Sequence, residues 1–557
     1  MAASAATMIT SRAGTLRLGL VASVFVLGWS CSGPSFSEGY EQDEGGEGGG
    51  AGEDSAAGTR PIGGAMNGAG EGGSEPATVS GGAGVGGESD TALFHIVTVT
   101  PADQAIDVER EPLTIQVTFS AELDADSVNS SSLTVLGPNG AVTGKVKVST
   151  DTLTFQPEAP LALLADYTIA VGTVKSAAGV DVAVDEKFTF QTRDGVFSEP
   201  KRLWSSGSVN LTRPTGTAGG RVLASWQDGL TPSSLIVAIF DPLTGTWGQP
   251  TTVEDDTVNS QSGQPCVNEL GRAFVITGDP YRWNRYDGTK WGKASSAGLT
   301  HGGNCVLAED DTALVSWSSS DARYAATLSP DNKWSAAKIT QAPGQGWGFS
   351  RYGGGFMVLI ETQNDRRVYS HVYDRTQGWL PPKPVTAAGA GPNYVNFDTR
   401  QSAAIFTWND AAAVVKAAVF DGNTWTPHEL GPAPLLSGTT ARAGKLGHFV
   451  AWMYQGSAYV ERFSLESGWQ GPSKLGATNG EDFGPAIEVD ETGNAFAAWV
   501  NGTAIDWRRS SHADGKWSEV WQIKDQDPYT VWSSVDAAGN VMLIWSNPLG
   551  IWASRFD

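Results

Sequence analysis

The C-terminal two thirds of the chain repeats one pattern of apolar and polar positions. A strand of alternating apolar residues leads into a short polar turn and then a Trp, as in Leu235–Pro250 (LIVAIFDPLTGTWGQP). Alternation at every second position is typical of a β-strand, and Gly, Asn and Asp favour tight turns. Each later copy places its Trp 43–48 residues after the previous one. These turn Trp residues are Trp247, Trp291, Trp334, Trp379, Trp425, Trp469 and Trp517.

A strand-rich repeat of this length predicts a β-propeller, because each unit must stack on its neighbours to bury its faces. One further unit is divided between two segments. Ile551–Asp557 (IWASRFD) matches the third strand, and Asp194–Trp204 (DGVFSEPKRLW) supplies an outer strand, with Phe197 in place of the turn Trp. Pairing of the two segments would close the ring and remove exposed sheet edges. We therefore predict an all-β fold with an eight-bladed propeller over residues 194–557.

A second set of Trp residues ends the second strand of six repeats, and Thr277 and Glu361 take that position in the other two. Polar residues follow most of these Trp residues, on the end opposite the turn Trp residues. The set can pack between blades, or it can form the floor of a binding site on that end. Its members are Trp226, Trp317, Trp408, Trp452, Trp499 and Trp545.

Aromatic residues also begin several innermost strands on the same end: Trp347, Tyr394, Phe483 and Trp532. Aromatic faces beside amide and carboxylate groups are suited to a neutral sugar or a peptide, and these four residues are our candidate ligand-binding set. The alternative is that the rings pack between blades. Glu361 is a further candidate, either as an acid or ligand group near Trp347 or as a solvated residue of the rim.

The first 31 residues predict an export signal. Arg12 and Arg17 precede the apolar run Leu18–Trp29, which is short for a membrane span and suited to a signal peptide. The run ends at Cys31, which small polar residues follow. This arrangement resembles the lipobox of bacterial lipoproteins, which implies lipidation of Cys31 and a location at the outer membrane or cell surface. The alternative is ordinary secretion with a free Cys31.

Residues 32–92 predict a disordered tether. They are rich in Gly, carry eleven Asp and Glu against the single Arg60, and contain only Phe36 and Tyr40 as aromatic residues. Such a composition cannot bury a core. The tether accounts for about −10 of the formal net charge of −23. The remainder is still acidic, which argues against nucleic acid as a partner.

Residues 93–193 predict a small β-sandwich, with short alternating strands such as Leu113–Phe119 (LTIQVTF) and Asp166–Val171 (DYTIAV). Together with Thr100–Val108 (TPADQAIDV), Leu153–Leu161 (LTFQPEAPL) and the closing Phe188–Thr192 (FTFQT), this segment resembles the SbsA-type bacterial Ig-like domain. The resemblance implies a spacer or adhesion module on an exported protein.

Two cysteines remain after Cys31. Cys266 and Cys305 fall at near-equivalent places on the innermost strands of adjacent repeats. A disulfide between them is plausible in an oxidising compartment, and two buried free thiols are the alternative.

No catalytic constellation is evident, and we predict neither a cofactor nor a metal site. The turn context YDGTKW is similar to the Asp-box turn of sialidase-like propellers. This resemblance implies a shared way of folding the turn and does not imply an activity. A sialidase-type site would need an Arg cluster, for which Arg213, Arg351 and Arg442 are the available candidates. No HExxH, Walker or Rossmann pattern is present. We therefore predict non-catalytic binding of a glycan or protein at the cell surface. The alternatives are a sialidase-like glycoside hydrolase or lyase and a structural surface-layer component.

Overall fold

The computed structural model describes a nearly all-β chain whose strands form two neighbouring domains. Of the described residues, no helix is long and apolar enough to cross a membrane. The proposed signal and tether, with Cys31, lie outside the described residues. The described ranges are 94–182, 186–205, 210–212, 214–228, 234–253, 265–277, 282–296, 303–318, 323–338, 344–352, 355–362, 364–400, 403–432, 438–479, 484–525 and 527–557.

The first domain is a sandwich of two sheets, as the alternating pattern predicts. Its buried faces share one core that includes Ile115, Leu133 and Phe190. The first sheet has the order Ile96–Thr100, Ile115–Phe119, Thr152–Pro157, Gly144–Ser149. The second has the order Ala105–Val108, Lys187–Thr192, Asp166–Val171, Leu133–Gly137, Gly140–Ala141, and one 3-10 turn spans Ala125–Ser127.

The second domain is a propeller, and its described residues form eight antiparallel sheets, here numbered along the chain from the innermost strand outward. Sheet 1 contains Asn210–Leu211, Thr215–Gly216, Val222–Gln227, Leu235–Asp241, Thr246–Trp247 and Thr251–Thr252. Sheet 2 contains Cys266–Val267, Ala273–Thr277, Arg282–Tyr286 and Ser295–Ser296. Sheet 3 contains Gly303–Leu307, Ala313–Ser318, Arg323–Leu328 and Trp334–Lys338. Sheet 4 contains Gly344–Tyr352, Gly355–Thr362, Val368–Asp374, Gly378–Trp379 and Lys383–Pro384.

The remaining four sheets follow the same plan. Sheet 5 contains Asn393–Arg400, Ala403–Asn409, Val414–Phe420 and Trp425–Pro432. Sheet 6 contains Thr439–Ala443, His448–Tyr454, Ser457–Ser464, Gly468–Trp469 and Ser473–Ala477. Sheet 7 contains Ala486–Val489, Ala495–Asn501, Ala504–Ser510 and Trp521–Lys524. Sheet 8 contains Thr530–Val535, Val541–Asn547, Gly550–Phe556 and, as its outer strand, Lys201–Trp204.

The outer strand of sheet 8 comes from the beginning of the propeller. Lys201 pairs with Ala553, and Phe197 pairs with Phe556 in the register that the turn Trp residues occupy elsewhere. A hydrophobic cluster that contains Trp226 and Ile544 also joins sheet 1 to sheet 8. Eight blades in a closed ring remains our interpretation of these pairings.

Five of the seven turn Trp residues pack on an aromatic residue near the end of the preceding strand, whereas Trp334 pairs with Leu328 and Trp517 with Ser510. The Phe420 and Trp425 ring centroids lie 5.0 Å apart, and those of Tyr373 and Trp379 lie 5.2 Å apart. Such aromatic pairs contribute to stability beyond the area that they bury. These Trp residues therefore fix each outer strand to its sheet.

Candidate functional site

The two ends of the sheets carry different connections. At one end, here called the hairpin face, lie the hairpins between first and second strands, such as Asp490–Asn494 in sheet 7 and Asp536–Asn540 in sheet 8. At the other end, the loop face, lie the turns between second and third strands, such as Pro548–Leu549. The candidate ligand-binding residues were predicted for the loop face.

Three of these candidates stay predictions. Trp347 lies on the innermost strand of sheet 4 and Tyr394 on that of sheet 5, but their side chains lie outside the described part of the chain. Phe483 also lies outside the described residues.

Trp532 lies in the seam between sheets 8 and 1. Its ring is half-buried against the cluster that contains Trp226, Ile544 and Ile551. The indole N–H of Trp532 is buried and has no hydrogen-bond acceptor. The ring therefore contributes to packing between these sheets and presents only part of its surface.

Glu361 is buried, with an exposed fraction of 5%. Its carboxylate accepts a hydrogen bond from Arg366 Nε at 3.1 Å. Of the two alternatives for Glu361, the solvated residue of the rim is therefore wrong, and the role as an acid or ligand group stays a prediction. A carboxylate can replace Trp at this position because Arg366, at the turn that follows, brings a positive charge to it.

The six second-strand Trp residues are buried between sheets, with exposed fractions of 0–8%. Trp499 Nε1 donates to the carbonyl oxygen of Ala477 at 2.8 Å, and Trp545 Nε1 donates to Asp525. These contacts favour the packing alternative over a ligand-binding floor.

Arg442 is held in a buried ion pair on the innermost strands. Its Nε and Nη2 donate to the two oxygens of Glu488 at 2.9 and 2.8 Å, and Ser533 Oγ also donates to Glu488 at 2.9 Å. Burial alone would lower the pKa of Arg442, but the Glu488 carboxylate outweighs it, so the pKa is raised. Because its donors are engaged, Arg442 is not available to a substrate carboxylate. Arg213 and the side chain of Arg351 lie outside the described residues.

A disulfide joins Cys266 to Cys305, with their Cα atoms 5.9 Å apart. It links the innermost strands of sheets 2 and 3. Within the described ranges, no group of three or more His, Cys, Asp or Glu residues is placed to hold a metal ion.

The first domain docks on the hairpin face through Leu163. This side chain is fully buried in the core between sheets 7 and 8. Leu163 N donates to the carbonyl oxygen of Ala538 at 2.9 Å, and Asn494 Nδ2 donates to the carbonyl oxygens of Leu163 and Leu164 at 3.3 and 3.2 Å. In addition, Lys445 Nζ donates to Asn139 of the sandwich.

A buried polar network supports this docking. Asp490 is 1% exposed and accepts hydrogen bonds from the backbone N–H groups of Thr492 and Asn494 at 2.9 and 3.0 Å. Arg509 lies between Asp490 and Asp194, with its Nε 2.9 Å from the Asp194 carboxylate. Burial raises the pKa of Asp490 despite these partners. The hairpin face is thus held to the sandwich by the packing of Leu163 and by hydrogen bonds, and this charged network lies beside them within the propeller.

The loop-face end of the seam between sheets 7 and 8 carries a different group of residues, here called the Tyr529 patch: Tyr529, Leu549 and Trp552, supported by Asp525 and Asn547. The exposed fractions of Tyr529 and Leu549 are 56% and 44%, and Trp552 is half-buried. Sequence reasoning missed Tyr529 and Leu549 because they lie in connections, outside the repeating strands. The polar residues after Trp545 were the available signal.

Comparison with known proteins identifies the first domain. Residues 90–192 match the bacterial Ig-like domain family. No curated protein matches the chain. Among solved structures, the Dos1 propeller is similar at 9% identity and a TM-score of 0.45, over 65% of this chain and 95% of that one.

Two further solved structures are similar to this chain. The WD40 domain of SCAP from fission yeast has 8% identity and a TM-score of 0.42, over 65% of this chain and 98% of that one. A variant of the Aleuria aurantia lectin has 16% identity and a TM-score of 0.32, over 50% of this chain and 100% of that one. These similarities concern the fold, and no function follows from them.

Proposed function

We propose that this chain is an exported, lipid-anchored cell-surface protein whose propeller binds a glycan or a protein without catalysis. Lipidation would occur at Cys31, and residues 32–92 would tether an SbsA-type Ig-like domain above the membrane. The Cys266–Cys305 disulfide supports export, because structural disulfides persist in oxidising compartments.

The observation that carries the proposal is the docking of the Ig-like domain on one end of the propeller. Leu163 lies at the hairpin-face end of the seam between sheets 7 and 8. Because the tether precedes the Ig-like domain in the chain, this docking would direct the hairpin face toward the membrane. The loop face would then point outward, where a surface ligand can reach it.

Two engaged groups argue against a hydrolase. Arg442 donates to Glu488, and the carboxylate of Glu361 accepts from Arg366. A sialidase-type mechanism needs a free Arg cluster and carboxylates that face the substrate.

The test uses the full chain with its lipid anchor. We expect whole cells to incorporate labelled palmitate into the protein and to lose that label in Cys31→Ser. We also expect the chain to bind an array of glycans or to crosslink to a surface protein on intact cells. Trp347→Ala and Trp532→Ala report whether the loop-face candidates contribute to that binding. Absence of both glycan binding and a crosslinked partner would refute the binding function, and hydrolysis of an array glycan would refute its non-catalytic nature.

A further inference from the structure

The Tyr529 patch lies far from the docked Ig-like domain, although both use the same seam. Leu163 packs near Val541, where the second strand of sheet 8 begins, and Asn547 ends that strand. Six residue steps along a strand separate the two ends by about 20 Å. The Ig-like domain, which contacts the opposite end of this seam, therefore leaves the patch uncovered.

A hydrogen-bond network fixes the patch before any ligand arrives. Asn547 is fully buried, and its Nδ2 donates to both carboxylate oxygens of Asp525 at 3.0 Å. Its Oδ1 accepts from Trp552 Nε1 at 3.0 Å and from the backbone N–H of Leu549 at 2.8 Å. The indole plane of Trp552 and the turn that carries Leu549 are thereby held in place. Preorganisation of this kind reduces the entropy that a ligand must overcome on binding.

The patch offers two aromatic residues at the loop-face end of sheet 8, Tyr529 before its innermost strand and Trp552 on its third strand. Trp552 packs toward sheet 7, and the backbone N–H of Tyr529 donates to the carbonyl oxygen of Ser546, the residue before Asn547, whose side chain contacts Trp552. Tyr529 and Trp552 lie two strands apart, which places them about 10 Å from each other. A ligand that contacts both rings must be longer than one sugar ring.

Polar groups alternate with the apolar surfaces of the patch. The exposed guanidinium of Arg202 lies 5.8 Å from the centroid of the Trp552 ring, and Asp525 is half-exposed beside Asn547. A hydrophobic helix or strand from a protein partner requires a continuous apolar groove. Sugar rings combine an apolar face with hydroxyl groups around the edge, and they match aromatic rings bordered by charged and amide groups.

We propose that the Tyr529 patch binds a neutral oligosaccharide of at least two sugar units, with Tyr529 and Trp552 against the sugar faces and Arg202 at the hydroxyl groups. This inference rests on the proposed binding function and names its site and ligand class. The acidic net charge of the chain, −23, favours a neutral over an anionic glycan.

The test screens the full chain on an array of neutral and anionic oligosaccharides and then measures affinity for the strongest binder by titration calorimetry. We expect Tyr529→Ala to weaken binding at least about tenfold, because the exposed ring is removed. We expect Trp552→Phe to weaken binding by a smaller factor, since it retains one aromatic ring and loses the pyrrole ring together with its N–H bond to Asn547. Trp521→Ala is the matched control, because Trp521 is 55% exposed on the outer strand of sheet 7 and lies outside the patch.

The outcomes distinguish the location of the site, the class of ligand and the binding function itself. If the full chain binds an oligosaccharide with unchanged affinity in Tyr529→Ala and Trp552→Phe, the patch proposal is wrong while the binding function stands. If the full chain binds no glycan but crosslinks to a surface protein, the ligand class is wrong. Unchanged melting temperatures of the variants establish that any loss of affinity does not arise from unfolding.

Discussion

Replacement of Leu163 by Ala should destabilise the propeller, although Leu163 belongs to the Ig-like domain. Its side chain is fully buried in the core between sheets 7 and 8, beside Phe496 and Val541. Leu→Ala removes three carbon atoms, which contribute about 2.4 kcal/mol of transfer free energy at about 0.8 kcal/mol each. The cavity left between the two domains adds to this loss, so we expect a total of about 3–5 kcal/mol.

Tryptophan fluorescence is the appropriate assay, because the chain carries its Trp residues almost entirely in the propeller. Of the 21 Trp residues, only Trp29 precedes residue 194, and the Ig-like domain has none. Urea unfolding followed by this signal therefore reports on the propeller alone. We expect the midpoint to fall in Leu163→Ala and the transition to remain a single step.

Leu136→Ala is the matched control, because Leu136 lies in the same domain and is 43% exposed. Exposed substitutions usually change the free energy of unfolding by less than about 0.5 kcal/mol. An unchanged fluorescence midpoint in Leu163→Ala would refute the reasoning, since it would mean that the Ig-like domain is an independent spacer.

Two further predictions concern the propeller itself. The Cys266–Cys305 disulfide spans a sequence separation of 39 residues, so its loss should lower the free energy of unfolding by about 4 kcal/mol in the chain-entropy estimate. A reductant should lower the thermal midpoint of the native protein and leave that of the Cys266→Ala/Cys305→Ala variant unchanged; equal responses would contradict this. His448 is 2% exposed, and burial lowers its pKa to about 4. In the unfolded chain the imidazole binds a proton near pH 6.5, whereas in the folded chain it does so only near pH 4. The contribution of neutral, buried His448 to the free energy of unfolding is therefore complete above pH 6.5, and it falls by about 1.4 kcal/mol per pH unit as the pH drops toward 4. His448→Phe, which keeps the stacking on Phe463, should flatten the fall of thermal midpoint between pH 7 and pH 5, and an unchanged slope would contradict the assignment.

The repeating part of the fold could be predicted from the sequence because every repeat contains the same order of alternating apolar residues, polar turn and Trp. In sheet 8 the predicted third strand, Ile551–Asp557, overlaps the observed strand Gly550–Phe556. Even the departure at Phe197 was informative, since the surrounding repeats defined the register that it shares with the turn Trp residues. Local patterns of this kind specify which strands form and in what order they pair.

Positions that depart from the repeat were predicted less well, because their environment depends on contacts that no pattern encodes. Glu361 replaces a buried Trp, and nothing in the repeat indicates that Arg366 would turn toward its carboxylate. Arg442 and Glu488 form a buried pair across two sheets, 46 residues apart in the chain. A search for opposite charges one repeat apart on innermost strands would have found that pair.

The two features that the repeat pattern does not predict and that matter most for function lie at opposite ends of the seam between sheets 7 and 8. The repeat requires sheets 7 and 8 to pack along their length, but it does not specify what meets either end of that packing. At the hairpin face the end is covered by Leu163, which comes from another domain. At the loop face the same strands end in Asn547, whose side chain holds Trp552 and the Leu549 turn in place. The packed core between sheets 7 and 8 thus has the Ig-like domain fixed at one end and a preorganised, exposed surface at the other. Binding sites are held most precisely on rigid elements of this kind, so the Tyr529 patch is the first surface at which to seek a ligand.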